Sequence, residues 1–174
     1  MRRYVPLAAL VIAGCVPRVV PPPAPAPAPA PPPDAPTPAP APAPAQSGDW
    51  RDWPLTPGEW RYRRTAAGGV STFGAGGATP SVTLTCDRAA RRLTLVRAGA
   101  SNAAMTIVTT SMTRNVPSRP DGAGGTATSL AATDPLLDAI GYSRGRFVIQ
   151  QPGLPTLVVP AWPEIERVTE DCRG

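Results

Sequence analysis

The sequence predicts a mainly β domain of the α+β class: a small antiparallel sheet sandwich or barrel with two short helices, one of them C-terminal and disulfide-linked to the sheet. Three observations predict it. Short runs alternate apolar with polar side chains, as half-buried strands do. Glycine-rich segments separate these runs. Two late segments open on proline and carry apolar residues at helical spacing. The domain is assigned to residues 47–174, enough chain for one hydrophobic core.

Six strands are predicted before the first helix. Trp60 and Tyr62 alternate with arginine in the first strand, and Val82, Leu84 and Cys86 alternate with threonine in the third. Glycine runs and polar turns bound the others. The predicted strands cover residues 59–64, 70–73, 82–86, 93–95, 105–112 and 126–130, with loops at 74–77 and 117–125.

The first helix is predicted to begin at Thr133 or Asp134. Pro135 then falls in the first turn, where its missing N–H costs no hydrogen bond. Gly141 is expected to end the helix in the left-handed conformation. The buried side is predicted to consist of Leu136, Leu137 and Ile140.

A hairpin and a second helix complete the predicted domain. Residues 147–150 and 156–159 are expected to pair about a turn at Pro152-Gly153. The last helix opens at Pro163, and its apolar stripe places Cys172 on the inward face together with Ile165 and Val168.

The chain begins with a segment typical of protein export, and residues 1–14 are interpreted as a signal peptide. Arg2 and Arg3 precede a short apolar run over 5–13, which is too short to span a bilayer. Ile12-Ala13-Gly14-Cys15 resembles the bacterial lipobox. That resemblance implies that the Cys15 thiol is acylated and that the bond before it is cut. The alternative is an ordinary secretory signal peptide with an incidental cysteine.

The expected location is the bacterial cell envelope, with the protein lipid-anchored in the outer membrane and facing the periplasm. Two or three acyl chains on one residue suffice for stable anchoring. Val16 follows the cysteine, whereas aspartate there resembles an inner-membrane retention signal. The membrane is therefore an expected partner through the N-terminal lipid.

Residues 15–46 are interpreted as the lipidated cysteine and a proline-rich tether. From 21 to 45 the chain is Pro-Ala, interrupted only by Asp34 and Thr37. Proline excludes helix and sheet here, so an extended polyproline II spacer of roughly 75–80 Å is expected at about 3.1 Å per residue. A proline-rich ligand for a recognition domain is the alternative.

The three cysteines of the chain indicate a disulfide. If Cys15 takes lipid in an oxidising periplasm, Cys86 and Cys172 remain to pair. Two reduced cysteines, the alternative, would need a reducing compartment that the export segment contradicts.

Composition excludes several kinds of chemistry. The chain has no histidine, and all 17 of its basic residues are arginine. Histidine triads, most zinc sites and lysine nucleophiles are thereby excluded. Of the net charge of +5, the domain carries +3, from 14 arginines against 11 acidic residues, and this mild excess is scattered, so no nucleic-acid partner is expected. Residues 141–145 match G-x-S-x-G but follow a predicted helix and have no histidine base, so the match is interpreted as chance. The sequence therefore predicts no catalytic residue, no cofactor, no metal site and no enzyme.

Arg144 and Arg146 are the candidate ligand-binding residues, since two guanidinium groups close together suit a phosphate or a carboxylate. Their position after a helix end has a purely structural explanation as well. Stacking on sugar rings is another option, for Trp50, Trp53 and Trp162, and the alternative is that these tryptophans near the domain edge seal the core. The acidic residues of the helices are interpreted as caps and dipole partners; they are Asp134, Asp138, Glu164, Glu166, Glu170 and Asp171.

From residue 59 onward, the paired cysteines and the order of elements resemble the invasion-associated locus B family. The supporting segments are the hairpin 147–160 and the terminal helix. The resemblance implies a non-enzymatic envelope role and no site residues.

The expected function is binding of another envelope component, a protein or a cell-wall polymer. The alternatives are a carboxylate-dependent periplasmic hydrolase, expected to hold two carboxylates about 5–10 Å apart in a cleft, and a purely structural cell-wall spacer. A binding module should instead show an exposed apolar or arginine-lined patch.

Overall fold

A computed structural model describes residues 47–174 and confirms the predicted fold class. Ten strands form two antiparallel sheets within this range, accompanied by two helices. The predictions for Cys15, the signal peptide and the tether lie outside the described residues. After a 3₁₀ turn at Trp50–Asp52, the elements are β1 Glu59–Arg64, β2 Gly69–Gly74, β3 Val82–Asp87, β4 Arg92–Ala98, β5 Met105–Val108, β6 Thr113–Val116, β7 Arg119–Pro120, β8 Gly125–Ala131, α1 Pro135–Gly141, β9 Arg146–Gln150, β10 Leu157–Pro160 and α2 Pro163–Arg173.

The two sheets enclose one apolar core. The first has the strand order β1-β2-β3-β4-β8-β7, and the second has the order β10-β9-β5-β6. In the register of β3 and β4, Leu84 lies opposite Leu95 and Cys86 lies opposite Leu93. All four side chains are buried. The alternate positions on these strands are mostly threonine and half-buried, so the period-2 pattern decides which face meets the core.

Helix α2 packs against the first sheet and covers the core there, as its apolar stripe predicted. Ile165, Val168 and Cys172 are buried. Cys172 is joined to Cys86 on β3 by a disulfide with a Cα–Cα distance of 5.5 Å. This bridge confirms the predicted linkage of the C-terminal helix to the sheet. Among residues 47–174, neither helix has the length and apolar character needed to cross a membrane.

Helix α1 begins as predicted and ends differently. Asp134 is the N-cap, because its carboxylate accepts the Leu136 N–H at 2.9 Å, and Pro135 occupies the first turn. The prediction that Gly141 adopts the left-handed conformation is wrong: Gly141 is the last helical residue, and Tyr142 caps the helix with φ −93°. A Cβ at this position would lie 1.3 Å from Glu166 Oε1 on α2, so a larger residue would require the Glu166 side chain to shift.

The predicted fifth strand, 105–112, is wrong in its extent. The chain turns at Thr109, whose N–H and hydroxyl both donate to the Met112 carbonyl oxygen, at 2.8 and 2.9 Å. A second strand, β6, then runs back beside β5. No glycine, proline or asparagine marks this turn, so the threonine-rich segment contains none of the residues by which a turn is usually predicted. The predicted loop 117–125 likewise contains the two-residue strand β7.

Candidate functional site

The structure gives the two candidate arginines different surroundings. Arg144 is exposed, and its backbone N–H donates to Thr110 Oγ1 at 3.3 Å. The Arg146 guanidinium donates instead to the Trp53 carbonyl oxygen, which ties β9 to the start of the domain. Arg146 therefore has a structural partner, while Arg144 remains an exposed cation.

Ser143, the serine of the G-x-S-x-G match, is part of a turn. Its side chain is buried at 4% exposure. The hydroxyl donates to the Arg146 carbonyl oxygen and accepts the Thr110 N–H at 3.1 Å. Both bonds hold the chain between α1 and β9, and Gly145 supplies the positive φ of +77° that the turn needs. These contacts explain the residues without any nucleophilic role.

The tryptophans are used in different ways. Trp60 packs on Phe73 in the core and donates its indole N–H to the Pro160 carbonyl oxygen at 2.8 Å. Of the three stacking candidates, Trp50 and Trp53 are half-buried, and Trp162 is 43% exposed. Trp162 is thus the candidate whose ring is most open to a ligand.

The α2 carboxylates differ in their surroundings: Asp171 is hydrogen-bonded, whereas Glu164 Oε2 and Glu166 Oε1 are buried without a hydrogen-bond partner among the described residues. Asp171 accepts hydrogen bonds from the Tyr62 hydroxyl and from Arg64. Glu166 lies against Gly141 at the contact between the helices; burial, and then the nearby negative charge of Asp138, raise the pKa of its carboxyl. Within residues 47–174 no group of acidic residues and cysteines is placed to hold a metal ion.

A groove of about 690 Å³ runs along the outer edge of β8, at a place that the sequence did not indicate. It forms because β7 pairs with only two residues of β8, Thr126 and Ala127. The chain passes from β6 to β7 through Pro117, whose carbonyl oxygen accepts the Thr128 hydroxyl at 2.8 Å. This crossing makes one wall, and the second half of β8 makes the other.

Three arginines line the groove. Arg114 forms a bidentate ion pair with Asp134, at 2.7 and 2.8 Å. Arg92 lies across Ser129, with its Nε 3.0 Å from the Ser129 hydroxyl. Arg119 is exposed. Asp134 is the one acidic residue among the described residues that line the groove, so the lining carries a net positive charge.

The local sequence explains why these side chains meet. Arg92 and Thr94 occupy outward positions of β4, because they alternate with Leu93 and Leu95, which face the core. Register then places Thr94 opposite Ser129 on β8. Sequence reasoning missed the groove because its arginines lie in three separate segments, with no local motif to join them.

A second arginine feature lies inside the domain. Arg97 continues the inward row of β4 and is only 1% exposed. It donates to the Pro155 carbonyl oxygen at 2.8 Å and to the Ala98 carbonyl oxygen at 3.3 Å. Its Nη1 has no hydrogen-bond partner among the described residues, and burial lowers the pKa of its guanidinium. The carbonyl bonds indicate that Arg97 fixes the β9–β10 turn over the end of the core.

These features define a disulfide-linked, two-sheet β domain with an arginine-lined groove beside an edge strand. No protein-family model, no curated protein and no solved structure matches the chain.

Proposed function

We propose that this chain is a lipid-anchored envelope protein whose tethered domain binds another envelope component in the arginine-lined groove. The observation that carries the proposal is the charge of the groove. Arg92 and Arg119 line it and form no ion pair with any residue in the described part of the chain. Guanidinium groups that have no ion-pair partner within the described residues suit a ligand that carries carboxylate or phosphate groups.

The expected anchor supports the same role. Acylation at Cys15 would hold the domain at a membrane, and the proline-rich tract would let it reach a partner tens of ångströms away. A domain held in this way meets its partner at a high effective concentration, so even a modest affinity in the groove suffices.

Binding accounts for the groove better than hydrolysis does. General acid–base hydrolysis needs two carboxylates that are free to exchange protons. The carboxylate of Asp134 is held instead by Arg114 and by the backbone N–H of Leu136. Asp138 is likewise paired, with Arg173 at 2.8 Å, and Asp171 accepts hydrogen bonds from Tyr62 and Arg64.

Site-specific photo-cross-linking in intact cells tests the proposal. One variant carries a photoreactive residue at Thr94, in the groove, and a matched control carries it at Thr83, on the same face of β3. We expect a cross-linked envelope component from Thr94 only. Arg92→Gln combined with Arg119→Gln should remove that product.

Two results would contradict the proposal. Equal products from both positions would indicate random proximity. The absence of any product at the groove, with the domain folded, would favour the spacer alternative.

A further inference from the structure

We propose that the groove takes an extended acidic peptide segment of a partner protein, which adds to the free edge of β8 as a further strand. This inference rests on the proposed function and specifies its ligand. Two independent features of the groove carry it: the backbone groups left open along β8, and the positions of the arginines beside them.

The direction of the backbone groups in β8 follows from two bonds. Gly125 points away from β4, because its carbonyl oxygen accepts the Asp121 N–H at 3.0 Å. Ala132 points toward β4, since its N–H donates to the Arg91 carbonyl oxygen at 2.9 Å. Backbone groups alternate sides along a strand, so Ser129 and Ala131 direct theirs into the groove.

Most of this edge has no strand beside it. Pairing with β7 stops at Ala127, so no described strand lies next to the remaining residues of β8. The Ala131 carbonyl oxygen accepts the Asp134 N–H at 2.9 Å, and the Ser129 carbonyl oxygen receives only a long bond, 3.4 Å, from Arg92 Nη2. The N–H groups of Ser129 and Ala131 therefore remain as donors, about 6.5–7 Å apart along the strand.

A polypeptide supplies acceptors at that repeat. In an added β-strand every second residue turns its carbonyl oxygen and N–H toward the same neighbour, at a spacing of about 6.5–7 Å. A polyanionic polysaccharide could satisfy the guanidinium groups, but its oxygen atoms do not form a row of backbone carbonyls that repeats on one side of an extended strand. The edge donors thus favour a peptide over a polymer of sugars.

The arginines specify the side chains of that peptide. Arg92 lies over Ser129, and Arg119 lies on β7, opposite Ala127. By register, both arginines lie on the sheet face that carries the side chains of Ala127, Ser129 and Ala131, so a strand beside β8 would meet both cations on one of its faces. Glutamate or aspartate at alternate positions of the ligand can form charge-assisted hydrogen bonds with both, whereas lysine would be repelled.

The test uses the full chain in detergent and a blocked seven-residue peptide, with glutamate at alternate positions and valine between. Binding is followed by the amide NMR signals of Ser129 and Ala131 and by their hydrogen exchange. We expect saturable shifts and slowed exchange at both amides. Replacing glutamate by glutamine should weaken binding about tenfold or more, as expected when charge-assisted hydrogen bonds are lost.

Two peptide variants isolate strand addition from charge. Each is N-methylated on one of the two alternating sets of residues. Only one set faces β8, where its methyl groups would collide with the strand edge, so one variant should lose binding while the other keeps it. Equal binding of both would overturn strand addition.

Two pairs of protein variants, each with a matched control, make the same separation. Ser129→Pro removes an edge N–H that β4 does not use, and proline is tolerated at such positions. It should abolish binding, whereas Ser129→Ala should retain it. Arg92→Gln with Arg119→Gln should weaken binding, whereas Arg61→Gln with Arg63→Gln, an equal charge change on β1, should not.

A polygalacturonate arm distinguishes the ligand classes. Shifts in the groove with this polysaccharide, and none with the acidic peptide, would overturn the peptide inference while leaving the groove as a polymer site. No response to either probe would also overturn it. The proposed function would then still depend on the cross-link at Thr94, so the two can fail separately.

Discussion

Arg114 on β6 and Asp134 at the start of α1 form a bidentate ion pair, with Nη–Oδ distances of 2.7 and 2.8 Å. The same carboxylate caps α1 by accepting the Leu136 N–H. Hydrogen bonding from Arg114 is the main reason that the pKa of Asp134 is lowered. One side chain thus closes an end of the groove, joins the second sheet to a helix and orders the helix start.

Asp134→Ala should destabilise the domain by about 2.5–4 kcal/mol. The loss combines a helix cap, about 1 kcal/mol, with a charge-assisted hydrogen-bond pair, about 1.5–3 kcal/mol. Asp134→Asn keeps the cap acceptor and should lose less. Urea denaturation at pH 7 gives both values.

The difference in the free energy of unfolding between the wild type and Asp134→Asn should shrink at acid pH. A lowered pKa contributes its full stabilisation above the pKa of the unfolded chain, about 3.9, and this stabilisation is lost as pH falls through the folded pKa. A gap that is constant down to pH 2 would contradict this role.

Glu166→Gln should stabilise the domain at neutral pH, by about 0.2–1 kcal/mol for a carboxyl that is partly exposed. Burial and Asp138 raise the pKa of Glu166, so the folded state retains its proton more strongly than the unfolded chain does. Stability is therefore fully present below the unfolded pKa of about 4.3 and falls as pH rises through the folded pKa. Denaturation curves of both proteins between pH 3 and 7 should coincide at the acid end. A variant less stable than the wild type at pH 7 would contradict the assignment.

Gly141→Ala should destabilise the domain, although alanine is the better helix former. The new Cβ would meet Glu166 Oε1, so α1 and α2 would have to separate or Glu166 would have to move. In a Glu166→Ala background the same change should become stabilising, by up to about 1 kcal/mol. A double-mutant cycle measured by denaturation detects this reversal. Additive effects would show that the two residues do not collide.

Replacing Cys86 and Cys172 by serine should cost about 2–5 kcal/mol. The bridge closes a loop between residues 86 positions apart, and it fastens α2 to β3. Thermal unfolding of the double variant, and of the wild type with reductant, should show the same loss. Circular dichroism should still show the sheet, since the buried rows of β3 and β4 do not depend on the bridge. An unchanged midpoint in reductant would contradict a stabilising disulfide.

Cys15→Ala should release the protein from membranes. The chain after Val16 contains no apolar segment of spanning length, so the expected lipid is the anchor. Fractionation of cells with a high-salt wash measures the effect. An intact disulfide in the Cys15→Ala variant shows that its domain still folds. Retention of the variant in the detergent fraction would refute acylation as the attachment.

The sequence determined the elements whose burial pattern is local. Val82, Leu84 and Cys86 occupy every second position, so their side chains must share one face of a strand. Ile165, Val168 and Cys172 share one side of a helix for the same kind of reason. The disulfide followed from these two patterns together with the number of cysteines. The turn at Thr109 escaped prediction because side-chain hydrogen bonds, rather than glycine or proline, reverse the chain there.

Only the tertiary structure decided where the groove lies. Arg92, Arg114 and Arg119 come from three strands in two sheets, and strand order and register bring them together. The requirement for glycine at 141 depends equally on a distant residue, since Glu166 comes within reach only when α1 packs on α2. Local sequence fixes which face of an element is apolar, because backbone geometry sets the period of its side chains. Pairings between distant elements depend on the packing of the whole core, and no local period encodes them.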